Sequence, residues 1–132
     1  MSPTLGDQQR VFANKLAYRT NDPEQGDVIM FHYPRDPDKL FVKRIIARGG
    51  DSVHIINSHV SVNGTPLEET YFVADARSAE THGPELVNEA HYFVMGDRRN
   101  NRADSRHWGQ VPELYIVGRV IMRGGLGLFD RP

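Results

Sequence analysis

The sequence predicts an all-β fold built from packed or coiled antiparallel sheets. Three observations predict it. Aromatic and β-branched residues gather in short runs, Gly and Pro punctuate the chain between those runs, and apolar residues at helical spacing are nearly absent.

Taken in order, residues 11–18 read as a first strand, and residues 21–27 as a turn rich in Asn, Asp, Pro and Gly. Residues 28–33 form a strand that Pro34 ends, since proline brings no backbone N–H to a ladder. Residues 35–39 read as a further turn, and residues 41–48 as a strand running into Gly49, Gly50 and Asp51. Residues 52–56 and 60–62 pair as a hairpin across Asn57, Ser58 and His59, and Asn63–Gly64 supplies a strong tight-turn signal. Residues 67–90 are polar with few apolar anchors and read as a long, loop-rich excursion. Residues 91–95 return to strand, and residues 96–109 are polar and rich in arginine. Residues 115–117 and 119–123 form the last strand region, broken by Gly118, and the glycine-rich tail from Gly124 is expected to be loose.

The bulk properties narrow the function classes. A chain of 132 residues suits one domain spanning 1–132. A formal net charge of −1 makes no electrostatic case for nucleic acid or an anionic membrane surface. With no cysteine there is neither a disulfide nor a thiolate metal site. No apolar run approaches the ~18–20 residues that span a bilayer, and no signal-peptide core is present. His32, His54, His59, His82, His91 and His107 show no close-spaced ligand pattern with carboxylates, so no metal or other cofactor is expected.

Chemistry concentrates in the strand 41–48 and in the segment from Gly96 to Gly109. A period of two places Phe41, Lys43, Ile45 and Ala47 on one face of that strand, and Val42, Arg44, Ile46 and Arg48 on the other. Arg44 and Arg48 are expected to reach water from a wet face. Lys43 shares its face with three apolar residues. Either its stem packs and its head reaches solvent, or it is held partly dry. In the dry case burial disfavours the ammonium, and a neutral lysine is a competent general base. In the later segment, Gly96–Asp97 follows an apolar strand. Asp104 and Arg106 are spaced to pair, and Asp97 is free to pair with an arginine. The bland reading of that segment is a solvated loop of exposed ion pairs, which contributes little.

The order of these stretches resembles bacterial type I signal peptidases, the membrane-anchored Ser-Lys proteases that remove secretory signal peptides. Met1, Pro3, Thr4 and Leu5 match the box that follows the family's nucleophilic serine, with Ser2 at its variable position. Asn14–Lys15–Leu16–Ala17–Tyr18 and Gly26–Asp27–Val28 through Tyr33–Pro34 also look like the family. Phe41–Val42–Lys43–Arg44–Ile45–Ile46 with Gly50–Asp51 matches its lysine box. Gly96–Asp97, Asp104–Ser105–Arg106 and Trp108–Gly109 match its last box. Each box is weak alone, but together, in order across almost the whole chain, they are highly specific.

The resemblance implies a single extracytoplasmic domain and a Ser-Lys dyad with Lys43 as general base. It implies substrate contacts around Met1, Leu5, Phe41 and Val42, and structural support from Asp97, Asp104, Ser105 and Arg106. The implied substrates are signal-peptide-bearing precursors with small residues at −3 and −1, bound as extended strands. The family's spacing places the nucleophilic serine immediately before Met1, so the chain is expected to be a fragment. A transmembrane anchor is expected upstream, and the fragment itself is expected to be inactive. The chain departs from the family at Arg98, where Asn is usual, at Arg102, where a serine usually stands near the lysine, and at Gly49, where Pro is frequent. These arginines motivate a different reading, a non-catalytic relative that binds secreted proteins as an assembly factor. A cytoplasmic self-cleaving Ser-Lys regulator fits less well, since the Trp108–Gly109 box belongs to signal peptidases.

Overall fold

Two antiparallel sheets share one long strand's worth of core, and a short helix covers the outer face of the larger sheet. A computed structural model of the chain describes residues 10–14, 22–68, 81–97 and 103–123. The strands are β1 (Arg10–Asn14), β2 (Val28–Tyr33), β3 (Asp36–Arg48), β4 (Ser52–Ile56), β5 (His59–Val62), β6 (Thr65–Pro66), β7 (His82–Leu86) and β8 (His91–Met95). After β8 come the helix α1 (Ser105–Trp108), β9 (Val111–Pro112), a 3-10 turn over Glu113–Tyr115 and β10 (Ile116–Arg123). The larger sheet runs β1-β10-β2-β3-β8-β9, and the smaller runs β6-β5-β4-β7. The all-β expectation holds.

Several local expectations are corrected. The turn after β2 is tighter than residues 35–39. It occupies Pro34 and Arg35, because Tyr33 pairs directly with Asp36, and β3 then runs for 13 residues. The excursion over 67–90 is not loop throughout, since β7 lies within it and pairs with β4. Its weak pattern hid it: β7 is a sheet edge carrying Gly83 and Pro84, with only half-buried or exposed residues. His59 belongs to β5 rather than to the turn. The segment after Gly96 contains α1, too short for any periodicity to announce. Gly118 does not interrupt β10; the register against β2 shifts there instead. The tail from Gly124, and residues 15–18 of the first predicted strand, lie outside the described residues.

Strand β3 organises the core because it is buried on both faces. Ile45 joins Ile29, Phe31, Tyr92, Val94, Trp108 and Val111 on the outer side, beneath α1. Ile46 and Ala47 join Val53, Ile55, Val60, Val62, Val87, Phe93 and Met95 between the two sheets. A strict alternation would put Ala47 with Ile45. The pairing of β3 with β8 slips between Ile45 and Ala47, and that extra residue returns Ala47 to the inter-sheet side. Arg44, expected on a wet face, is 2% exposed.

The β3–β4 turn locks the sheets together. Asp51 accepts from the Arg48 backbone N–H (3.0 Å) and from the Asn63 amide (3.0 Å), and Asn63 Oδ1 accepts the Ser52 N–H (2.9 Å). Gly50 N donates to Val87 O at 2.9 Å, and Val87 N donates back to Asp51 O at 2.8 Å. At Gly83, φ is +86° and a Cβ would lie 2.5 Å from Val53 O. Gly83→Ala therefore strains the backbone by about 1–2 kcal/mol and also pushes β7 off β4. The expected result is a fall in thermal midpoint of several degrees, read by circular dichroism.

Candidate active site

Lys43 sits opposite Ile29 on β2 and shares its face with Phe41 and Ile45. It is 7% exposed, so the pattern's open question resolves toward the dry alternative. Helix α1 lies over the same face. Trp108 packs over this face against Phe31 (5.9 Å between ring centroids), Tyr33 (5.3 Å) and Phe41 (6.1 Å), while Phe41 stacks on Tyr33 at 4.5 Å. Phe31 and Phe41 are register partners on β2 and β3, and so face α1 together.

A helix of one turn cannot sustain itself, so local contacts fix α1. Asp104 caps it, accepting the Arg106 backbone N–H at 3.0 Å. Ser105 Oγ accepts the Val94 N–H at 2.9 Å, which moors the first turn to β8. The Arg106 guanidinium folds back on the Asp104 carboxylate, with Nη2 to Oδ2 at 2.7 Å and Nε to Oδ1 at 3.0 Å. Arg35 Nη2 donates to His107 O at 3.3 Å from the β2–β3 turn.

On the opposite face of β3, Arg44 meets Asp97, which is completely buried just beyond β8. The contact is bidentate, with Nε to Oδ1 and Nη2 to Oδ2 both at 3.0 Å, and Nη1 reaches Gly26 O at 2.9 Å. The expected pairings of Asp97 with an arginine and of Asp104 with Arg106 are thus both present. They are buried and geometrically closed, not solvated loop contacts.

These pairs set the electrostatics around Lys43. Among the described residues no carboxylate lies within ion-pair distance of it. Burial is the largest influence and pushes its pKa below the ordinary lysine range. Asp104 pulls it up, Arg106 pushes it down, and Asp97 pulls it up by less. Each carboxylate is already matched by its own arginine, so desolvation prevails.

Among the described residues, the edge of β3 beside Lys43 has no strand partner on the β8 side. Strand β8 pairs with β3 only from Arg44 to Arg48, and among the described residues no strand covers that side of β3 from Asp36 to Lys43. Val42 is half-buried on the face opposite Phe41. Met1, Leu5, Arg98 and Arg102 lie outside the described residues. Surface depressions of about 710 Å³ by Asp51 and Asn63 and about 390 Å³ by His32 and Leu114 do not involve Lys43. Sequence reasoning missed the role of Arg44, whose only signal was its position beside Lys43 in a strand of apolar residues. It also missed the packing of Tyr33 and Trp108, which required knowing that α1 returns over β2.

Comparison with known proteins gives the family. The profile of the family described as "Signal peptidase, peptidase S26" matches residues 1–124, and the chain belongs to that family. It is 40% identical over 129 residues to a probable signal peptidase I-2 of Synechocystis, covering 93% of this chain and 58% of that protein. It is 38% identical over 130 residues to a signal peptidase I of Leptolyngbya laminosa, covering 93% and 63%. The chain thus spans about three fifths of the length of these relatives. The crystal structure of a signal peptidase I from Enterococcus faecalis superposes with a TM-score of 0.63 at 27% identity, covering 75% of this chain and 97% of that one.

Two consequences are measurable. Asp97→Ala leaves the Arg44 guanidinium buried without its carboxylate, and the expected loss is about 3–5 kcal/mol in denaturant unfolding. The lowered pKa of Lys43 also makes stability depend on pH. Between that pKa and the ordinary value near ~10.4, the unfolded chain binds the extra proton, so stability rises with pH across this window. Below it, both states are charged and the full burial penalty applies. Lys43→Met is expected to be more stable than the parent at neutral pH and to lack this rise, as read from urea midpoints across pH.

Proposed function

We propose that this chain carries the general-base half of a Ser-Lys endopeptidase that removes signal peptides from secreted precursors. The observation that carries the reading is a single lysine, buried at the open edge of β3 and depressed in pKa by desolvation. An unactivated serine hydroxyl is a poor nucleophile, and a base with accessible lone pair and matched pKa is what it lacks.

The mechanism follows from that geometry. Neutral Lys43 Nζ takes the serine hydroxyl proton as Oγ attacks the scissile carbonyl carbon. The tetrahedral intermediate collapses, the amide C–N bond breaks, and the leaving amine takes the proton from the Lys43 ammonium. An acyl-serine remains. Lys43 then accepts a proton from water as that water attacks the ester, and returns it to serine Oγ on release. The serine belongs one position before Met1 by the family's spacing. Asp104 with Arg106, Asp97 with Arg44, and Ser105 shape the surround without touching the reacting atoms.

The substrate lies extended along the open edge of β3, where main-chain hydrogen bonds bind it and shallow pockets select small residues at −3 and −1. Met1, Leu5, Phe41 and Val42 contribute to those pockets. In this reading Phe41 has a double role, since its stack on Tyr33 fixes the wall it presents. The domain works on the extracytoplasmic side of a membrane, held there by a segment preceding Met1. No helix among the described residues is itself long and apolar enough to cross. The chemistry calls for no metal, and no group of metal-binding side chains occurs among the described residues.

The test is cleavage of a precursor peptide with Ala at −3 and −1 by the chain preceded by a serine-bearing upstream segment. Lys43→Ala is expected to lower kcat/KM by about 10²–10⁴-fold. In the parent, kcat/KM rises with pH through the lowered Lys43 pKa, because only the free amine accepts the serine proton. Binding of the same peptide without any cleavage would instead favour the non-catalytic relative that Arg98 and Arg102 suggest.

A further inference from the structure

We propose that Gln110 is a positioning residue for Lys43, anchoring the exit of α1 on the smaller sheet so that the helix stays closed over the lysine. The inference rests on the peptidase reading above and adds to it a role for the smaller sheet.

Gln110 lies between Gly109, the C-cap of α1, and Val111 of β9. Its carboxamide makes three hydrogen bonds, all to the β7–β8 region. Oε1 accepts the Asn88 backbone N–H at 2.9 Å. Nε2 donates to Glu85 Oε2 at 2.6 Å and to Leu86 O at 3.0 Å. The other oxygen of Glu85 is in turn held by His82 Nε2 at 2.6 Å, and the His82 ring rests 5.6 Å from Phe93 in the inter-sheet core. A single side chain thus uses both amide protons and its carbonyl to tie the segment leaving α1 to strand β7.

The tie matters because α1 holds itself so weakly. Its last internal bond, Gly109 N to Ser105 O, is long at 3.3 Å. Ser105 ties its first residue to β8, and Trp108 packs its last residue on β2 and β3. Gln110 ties the segment that leaves it, just before β9 joins β8 at Val111. Among the described residues, the charged groups that act on Lys43 from this arm are Asp104 and Arg106, with Asp97 contributing from the end of β8. Without the clamp the arm can lift, water reaches the lysine, and the desolvation that keeps its amine available as a base is relieved.

The experiment reads Lys43 directly, in this chain and with no serine required. The pKa of Lys43 is followed by NMR titration of ¹³Cε-labelled lysine, with Lys43→Met for assignment. Gln110→Ala is expected to raise that pKa by about one pH unit, a partial recovery of the ~3–5 units that full burial can remove, while the fold is kept. Gln110→Glu sets a second carboxylate against Glu85 and is expected to do the same. Combining it with Glu85→Gln restores a donor–acceptor pair and is expected to return the value toward the parent's. This exchange also serves if Gln110→Ala fails to fold. A depressed parent pKa left unmoved by folded Gln110→Ala, or equally raised in Gln110→Glu and the double variant, would overturn the role of Gln110 alone. A parent Lys43 titrating at the ordinary lysine value would overturn the peptidase reading and this inference with it.

Discussion

Two adjacent cations on β3, both buried, are what the rest of this structure must accommodate. Lys43 points to one face of the larger sheet and Arg44 to the other. Burying a charge is expensive unless it is paired or given up. The side chains resolve this differently. A guanidinium cannot shed its proton in a protein, so Arg44 receives a bidentate carboxylate and a backbone carbonyl. A lysine can shed its proton, and among the described residues no carboxylate lies within ion-pair distance of Lys43, whose pKa burial lowers. The same strand therefore holds one paired guanidinium and one amine that keeps its proton less tightly.

The architecture reads as a consequence. Strand β8 runs antiparallel to β3 and ends at Met95, which brings Asp97 to Arg44. Among the described residues, no strand then pairs with that edge of β3 beside Lys43. On the other face, Trp108 of α1 packs on the aromatic rings that share the side of Lys43. Asp104 and Arg106 pair with one another there. Aromatic rings from β2, β3 and α1 seal the lysine's face. The smaller sheet fills the opposite face of β3 with aliphatic side chains and supplies, through Glu85, Leu86 and Asn88, the far support for the arm. The chain belongs to the signal peptidase family, and its two-sheet fold agrees with a solved member of that family.

Much of this was legible from residue order alone. The runs at 28–33, 52–56 and 91–95 became strands at those bounds, because turn residues and β-branched residues mark such segments locally. The motifs around Lys43 and around Asp104–Ser105–Arg106 identified the family. What stayed hidden has a common cause. Strand β7 has no apolar alternation, and its pairing to β4 is a long-range fact. Helix α1 is shorter than any helical period can reveal. Arg44 looked solvent-facing because period-two alternation shows which residues share a face, not whether that face is wet.

The sequence by itself determined the fold class, most strand positions, the family and the candidate base. These depend on local propensity, turn chemistry and motif spacing, all carried by neighbouring residues. Only the tertiary structure decided that Lys43 is dry, that Arg44 closes on Asp97, and that Gln110 reaches β7. Each of those is a statement about what lies across a sheet face. Burial, and with it the proton affinity of a lysine, is set by residues distant in sequence that the fold brings together.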